Sequence, residues 1–463
     1  MKLFGHHVRS TTMLMSLLES AIFILAFLAA HRTLNDAPYF DPAAGGAFSD
    51  FLAFAILPAA VLYVIFCAFG AYRPDAQSAI QVMAQRLLIG GVAGGLVILV
   101  VFAIFFPAAT VPTTVSLAVG GAVAITLLLR IGVRGAALEA IKPRVLVLGV
   151  GKCAENIRAL CKTKGSSRIV TFVEPQAQTS SNAVVPEDCR SPMPDSLAEY
   201  AQKLGVSEIV VALDNRRGAF PAGDLIDCRM RGVQVVDASS YIEKEIGQVD
   251  LDNLYPSWLI FSSGFRRSYF DAPAKRLIDI VCSLGLLVLL APVLLVTAIA
   301  IMLDSPGGVF YRQERVGLNG KPFFVLKFRS MRNDAEVGGA KWAAKNDPRV
   351  TRVGAFIRKT RIDEIPQTIN VLKGQMSFVG PRPERQVFVN ELSEVIPYYN
   401  ERHRVKPGIT GWAQINYPYG ASIEDSKEKL KYDLYYMKNY SIFLDLVIVV
   451  QTVRTILFAE GGR

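Results

Sequence analysis

Lys275-Arg276-Leu277-Ile278-Asp279 opens the deciding stretch, which runs through an apolar segment broken by Pro292 into Ser305-Pro306-Gly307-Gly308-Val309-Phe310-Tyr311-Arg312-Gln313-Glu314-Arg315-Val316-Gly317 and closes on Lys327-Phe328-Arg329-Ser330-Met331-Arg332. A membrane-seeking segment joined to a dense cluster of cations points to chemistry on an anionic substrate at a lipid surface. As one helix, Leu277 to Met302 would be ~39 Å long, enough to cross a hydrocarbon core of ~30 Å. It has two solutions, a fifth transmembrane span or a bent segment that enters and leaves by one face.

The N-terminal part decides between them. Four apolar stretches, Met13–Ala30, Phe51–Gly70, Leu87–Phe106 and Val111–Val133, each approach spanning length. Lys2, Arg9, Arg73, Arg86, Arg130, Arg134, Lys142 and Arg144 flank them on one side, and Asp36, Asp41 and Asp50 on the other. The bias of cations places the N-terminus and everything after residue 134 in the cytoplasm. A fifth span would export the cationic module, so the bend that Pro292 imposes favours a re-entrant hairpin. Ile442–Phe458 carries Asp445, Gln451 and Arg454 and reads either as an interfacial amphipathic helix or as a packed core helix.

Composition agrees. Of 463 residues 51% are hydrophobic and 19% charged, which favours a membrane protein. The net charge of +10 belongs to residues 262–463, with 29 Lys+Arg against 19 Asp+Glu. Such a module prefers anionic headgroups or phosphate-bearing ligands. Nucleic acid is not expected as a partner, because no binding motif accompanies the charge. Six cysteines without a Cys-x-x-Cys pair, and four histidines, give no zinc spacing and suggest reduced thiols. No cleavable signal peptide is expected, since the first apolar run is too long.

Between the two membrane parts, Arg144-Val145-Leu146-Val147-Leu148 predicts a buried strand, followed by Gly149-Val150-Gly151-Lys152-Cys153-Ala154 and a helix. This is G-x-G-x-x-A after a strand, with Glu174 about 25 residues on. Further strands are expected at Glu208–Leu213 and Val233–Asp237. A Rossmann-like unit fits, but Pro175 follows the acidic residue and the unit has no Tyr-x-x-x-Lys pair. A structural or regulatory domain and an occupied nucleotide site both stay open. Asp250-Leu251-Asp252 lies in a linker-like stretch and reads as exposed loop rather than a metal–nucleotide motif.

The candidate chemistry lies further on. Asp363-Glu364 alone would be a solvated turn, but Arg358, Lys359 and Arg361 precede it. Pro366 and the apolar Ile365, Ile369 and Leu372 place the pair in the first turn of a helix. Cations beside a helix N-terminus make a phosphate site, and a carboxylate there can attack phosphorus. Arg358 is the first candidate to clamp phosphate. Lys327 and Arg329 alternate on a predicted strand and face one side. Gly380-Pro381-Arg382-Pro383 is a rigid turn presenting one guanidinium. Arg312 and Arg315 suit phosphate, lipid headgroups or structural pairing equally, and His403 reads as structural.

Taken in order, Lys275-Arg276-x-x-Asp279, Ser305-Pro306-Gly307 with Phe310 to Gly317, Lys327 to Met331, Asp363-Glu364-Ile365-Pro366-Gln367, Gly380 to Pro383 and Val405-Lys406-Pro407-Gly408-Ile409-Thr410-Gly411 resemble the bacterial polyprenyl-phosphate hexose-1-phosphate transferases that initiate exopolysaccharide and O-antigen synthesis. The N-terminal spans and the Rossmann-like unit resemble the larger, multi-domain members. The resemblance implies that Asp363 attacks the sugar-proximal phosphate of a UDP-sugar and releases UMP. It implies that Glu364 holds Mg2+, that Pro381 and Arg382 lie near the nucleotide, and that polyprenyl phosphate accepts the phosphosugar. Two positions depart from the family pattern: Arg361 replaces a frequent small hydroxyl residue, and Ala291 replaces a serine found before the hairpin proline in some members.

The expected fold class is therefore a membrane α-helical bundle (1–140), an α/β Rossmann-like domain (141–250), a linker (251–270) and a monotopic α/β catalytic domain with a re-entrant membrane helix hairpin (271–463). The expected location is the bacterial inner membrane, with lipids as partners and both the N-terminus and the catalytic domain facing the cytoplasm; a homo-oligomer is compatible. A membrane-tethered nucleotide-sugar oxidoreductase and a non-catalytic assembly scaffold are the alternatives.

Overall fold

The computed structural model describes residues 2–3, 6–7, 10–34, 52–72, 80–105, 111–133, 142–164, 168–175, 183–214, 220–251, 265, 271–332, 348–418, 420 and 422–457. The chain forms two compact units, essentially residues 7–254 and 255–463. Arg9, Arg73, Arg134, Asp36, Asp41, Asp50, Asp252 and most of the expected linker fall outside the described residues.

In the first unit, apolar helices span Ser10–Leu34, Ile80–Phe105 and Val111–Gly132, each long and apolar enough to cross a membrane. The expected second span is shorter, a five-residue π-helical stretch Leu52–Ile56 continuing into Leu57–Ala68. Phe23, Phe27, Leu62, Phe66, Met83 and Leu87 fill the bundle interior, while Leu25, Leu96, Ile104 and Leu128 are exposed. That inversion of apolar side chains suits a lipid surround. Arg130 is not a loop cation. It lies inside its helix, buried, and donates from Nε and Nη2 to the two Glu19 carboxylate oxygens at 2.6 and 2.8 Å and from Nη1 to the Ala71 carbonyl at 2.6 Å. A charge with so little water around it needs such a partner.

The same unit holds a five-stranded parallel sheet. Its order across the sheet is Arg190–Pro192, Arg168–Glu174, Arg144–Leu148, Glu208–Val211, Gln234–Asp237. Alternation along Arg144–Leu148 sends Leu146 and Leu148 toward helices Leu197–Lys203 and Ala222–Met230, and Val145 and Val147 toward Lys152–Lys164 and Ala238–Ile246. Both faces are thus covered, as near-continuous apolar strands require. The two later strands end or begin one or two residues inside the expected ranges.

The second unit begins with one long helix, Asp271–Asp304, which contains Pro292. Its first turns explain the Lys-Arg-x-x-Asp motif. Lys275 Nζ donates to Asp445 Oδ2 at 2.6 Å, to the Val379 carbonyl and to the Tyr436 hydroxyl. Arg276 caps the carbonyls of Val371 and Leu372 at 2.6 Å, at the C-terminal end of helix Gln367–Leu372. Asp279 accepts from the Ser377 hydroxyl and the Phe378 amide. At the far end Asp304 accepts from the Val353 amide, and Ile301 packs with Phe328 and Ile357. Both ends are therefore tied to the same unit.

Around this helix stand an antiparallel hairpin, Phe310–Val316 with Pro322–Phe328, and a two-stranded parallel pair, Ser377–Val379 with Gly408–Thr410. Gly380 and Gly408 lie so close that a Cβ on either would overlap the other strand's backbone. Helix Ile423–Lys438 starts with a Ser422–Asp425 capping box. Helix Ile442–Leu457 buries Leu444, Asp445 and Ile448 against the core and exposes Leu446 and Val453, so its polar residue serves packing.

Lys275→Met strands a buried Asp445 carboxylate. The expected cost is about 3–5 kcal/mol, read as a lowered thermal midpoint of the purified protein, with Lys275→Met/Asp445→Leu recovering much of the loss.

Candidate active site

Helix Arg352–Lys359 is started by the Thr351 side chain, which accepts from the Gly354 amide. It stops at Arg361, whose backbone is left-handed (φ 60°). That conformation is costly for a side-chain-bearing residue and turns the chain sharply into the 3-10 turn Ile362–Glu364. The acidic pair thus occupies a separate turn rather than the first turn of the following helix. The reason is Pro366, which has no N–H to return to the Ile362 carbonyl. Instead the Ile365 amide bonds Ile362 and the Thr368 amide bonds Ile365, both i to i+3.

Asp363 and Glu364 are both buried in the wall of a cavity of about 850 Å³. Glu364 is clamped by three cations. Its Oε1 accepts from Lys327 Nζ at 3.0 Å and from Arg382 Nη2 at 2.6 Å, and its Oε2 accepts from Arg382 Nη1 at 3.3 Å and lies 3.8 Å from the Arg361 guanidinium. Lys327 and Arg382 reach it from the antiparallel hairpin and from the turn after Ser377–Val379.

Electrostatics separate the two acids. Burial pushes the Asp363 carboxyl up, as does the neighbouring Glu364 charge, against Lys327, Arg361 and Arg382, and the result is about 6. Burial also opposes ionisation of Glu364, but Arg382 and Lys327 overcome it and hold that carboxyl well below its ordinary range. Lys327 is lowered by burial despite Glu364 beside it. One acid is a permanent anion in a cation clamp; the other is a desolvated carboxylate suited to nucleophilic attack.

The remaining expected residues divide. Arg358, in the last turn of its helix, lines the cavity. Arg315 lines it too, bonding Gln313 Oε1 and the Pro383 carbonyl, and so supports the Gly380–Pro383 turn. Pro381 accepts the Gly408 amide through its carbonyl at 2.9 Å. Arg329 lies one residue past the strand and donates to the carbonyls of Ser305 and Pro306 at 2.7 and 2.8 Å, fastening the exit of the long helix. Arg312 is exposed and is absent from the cavity wall, because strand alternation puts Tyr311, Gln313 and Arg315 there instead. Pro292 sits within the apolar helix. His403 is lowered to about 4 by burial and Arg402, and packs edge-on against Tyr399.

Sequence reasoning missed a buried polar cluster. Arg402 donates from Nε to Asp433 Oδ2, from Nη1 to the Tyr399 hydroxyl, and from Nη2 to the Arg382 carbonyl at 3.1 Å. It therefore positions the backbone that presents Arg382 to Glu364. Its partners are up to 31 residues away, and no local pattern announces them.

Among the described residues, no three His, Cys, Asp or Glu side chains converge. The hard oxygens of Asp363 and Glu364 nevertheless suit Mg2+ in the way such sites work, with phosphate and water completing the shell. Glu364 is already ringed by Lys327, Arg361 and Arg382, so the fit depends on a diphosphate entering with the metal.

A buried carboxylate pair and a ring of cations share one cavity with a wall formed partly by Cys282, Leu286 and Leu289 of the apolar helix, which is long and apolar enough to cross a membrane. Residues 270–459 match the family model described as bacterial sugar transferase. An exopolysaccharide production protein, PSS, of Rhizobium leguminosarum bv. phaseoli is 45% identical over 189 residues, 40% of this chain and 94% of that one. A UDP-N-acetylgalactosamine-undecaprenyl-phosphate N-acetylgalactosaminephosphotransferase of Aeromonas hydrophila is 44% identical over 239 residues, 52% of this chain and 56% of its own. A UDP-glucose:undecaprenyl-phosphate glucose-1-phosphate transferase of Escherichia coli K12 is 48% identical over 184 residues, 39% of each chain. This chain belongs to the bacterial sugar transferase family. The last two matches cover about half or less of those relatives' length.

With Asp363 titrating at about 6, kcat/KM for a reaction using its carboxylate should fall roughly tenfold per pH unit below that value. Lys327 favours the ionised form, so Lys327→Met should move this acid limb to higher pH. A pH–rate profile of both proteins checks it.

Proposed function

We propose that this protein transfers a hexose-1-phosphate from a UDP-sugar to polyprenyl phosphate, giving polyprenyl-diphosphate-sugar and UMP. The observation that carries this is the buried Asp363–Glu364 pair, clamped by Lys327 and Arg382, in a cavity that the apolar helix also lines. Two of the relatives named above, from Aeromonas hydrophila and Escherichia coli, carry UDP-sugars and undecaprenyl phosphate in their names and support the substrate class.

In the first step an Asp363 oxygen attacks the sugar-proximal phosphorus. A P–O bond to that oxygen forms, the bond to UMP breaks, and UMP leaves with the electron pair. In the second step a polyprenyl phosphate oxygen attacks the same phosphorus and Asp363 departs as carboxylate. Phosphoryl transfer depends mainly on positioning and charge neutralisation. Lys327, Arg382 and Arg358 supply positive charge around the phosphates, and Arg315 and Arg402 hold the Arg382 turn. Glu364 would hold Mg2+, whose charge would offset that of the diphosphate.

The placement follows from the ends of the apolar helix. A straight helix would hold Arg276 and Ile301 ~38 Å apart, yet their partners Val371 and Ile357 belong to consecutive short helices of one unit. That supports a re-entrant hairpin bent at Pro292. The catalytic domain then lies on the cytoplasmic face of the inner membrane, where UDP-sugars are made, and the five-stranded sheet, which lies between it and the N-terminal spans in sequence order only, is a Rossmann-type unit.

Membranes supplied with a UDP-sugar, Mg2+ and polyprenyl phosphate should release UMP, and Asp363→Asn and Glu364→Gln should each lower release by about 10³-fold or more. Release unchanged in both variants would sink the mechanism, and EDTA should abolish release from the wild type. Separately, Ser305→Cys, in a background without the six native cysteines, should resist a membrane-impermeant thiol reagent added outside intact cells; labelling there would mean a through-span.

A further inference from the structure

The transferase chemistry leaves Gly149-Val150-Gly151 without a role, although a glycine-rich turn between a strand and a helix is a familiar place for a dinucleotide. In a parallel sheet with this strand order, ligands lie beyond the carboxyl ends of the strands where the winding reverses. Here that point falls between Arg144–Leu148 and Glu208–Val211, adjacent in the sheet. Two pieces of the chain itself occupy it.

The first is Asp214, three residues past the end of Glu208–Val211. Its Oδ2 accepts from the Lys152 amide at 2.9 Å and its Oδ1 from the Cys153 amide at 2.9 Å. These amides open the 13-residue helix Lys152–Lys164 and are the ones a ligand phosphate would use. The glycines are explained by the same contact. A Cβ on Gly151 would overlap the Asp214 carboxylate, and one on Gly149 (φ 133°) would overlap the Ala212 carbonyl. Both small residues let the 212–214 segment approach, with no nucleotide needed. The second piece is the segment from Ala183. Val184 and Val185 both donate their amides to the Val150 carbonyl, at 2.8 and 3.1 Å, and Val185 is fully buried against the sheet core.

We infer that this turn is a self-capped anion site: the Asp214 carboxylate takes the place of a ligand phosphate, and the domain does not bind a dinucleotide there. A pyrophosphate would have to displace a carboxylate held by two charge-assisted bonds, or sit against a like charge. The sequence signature of a nucleotide site is thus satisfied internally.

Amide hydrogen exchange of the full-length protein in detergent tests this, with NAD+, NADP+ and ADP as probes and excess UDP present to fill the transferase cavity. In the wild type, residues 149–155 should exchange slowly and show no change with any probe at millimolar concentration. Asp214→Ala should speed exchange at Lys152 and Cys153 roughly tenfold or more, and inorganic pyrophosphate should restore part of that protection. Saturable protection of 149–155 by a dinucleotide in the wild type would overturn the inference, and so would unaltered exchange in Asp214→Ala. If that variant does not fold, the wild-type titration decides alone. The readout is independent of UMP release, so it stands or falls apart from the proposed reaction.

Discussion

The Lys275 ammonium is the contact on which the second unit turns. It is partly buried, and it joins the base of the apolar helix to the buried Asp445 carboxylate, the Tyr436 hydroxyl and the Val379 carbonyl. A charge in that position is tolerable only with its partners in place. Four elements, two of them helices from the end of the chain, are therefore held in one arrangement by a single nitrogen. Arg276 and Asp279 add a helix cap and a strand-end cap within two helical turns. The consequence for the site is direct. Strand Ser377–Val379, fixed by Lys275 and Asp279, leads straight into the turn that carries Arg382 to Glu364.

At the site, two adjacent acids are made unlike by their surroundings rather than by their chemistry. Glu364 accepts hydrogen bonds from Lys327 and Arg382 and stays ionised; Asp363 feels the same cations, but burial and the Glu364 charge beside it make it resist ionisation. Placing unlike carboxyls side by side lets one be a fixed electrostatic element while the other changes its bonding. The left-handed backbone at Arg361 contributes by turning the chain out of the preceding helix into the turn that carries both acids.

Much of this was legible in the sequence, and what was legible was local. Apolar run lengths located the long helices, short apolar runs located three strands of the parallel sheet, and the clustering of Arg358, Lys359 and Arg361 before Asp363-Glu364 marked the candidate site. What could not be read was pairing across distance. Arg130 read as a flanking loop cation until Glu19, 111 residues away, proved to be its partner. Arg312 and Arg315 were equivalent in sequence, and only the register of the hairpin separates the exposed one from the one beside the Arg382 turn. Arg402, Asp433 and Tyr399 carry no motif at all. The acidic pair lay in a different turn from the one expected because a missing N–H at Pro366 outweighed the apolar periodicity.

The anchoring of the long helix also orders events during synthesis. The acceptors of Lys275 lie 104 residues downstream, at Val379, and 170 residues downstream, at Asp445. A ribosome adding residues one by one delivers the hydrophobic segment long before anything exists to hold its base. For that interval the segment is simply an apolar helix meeting a bilayer, with its final seating undecided. Its seating becomes fixed only when helices Ile423–Lys438 and Ile442–Leu457 have emerged and close over Lys275. Loss of helix Ile442–Leu457 would therefore leave the base of the apolar helix without its carboxylate partner when it meets the bilayer.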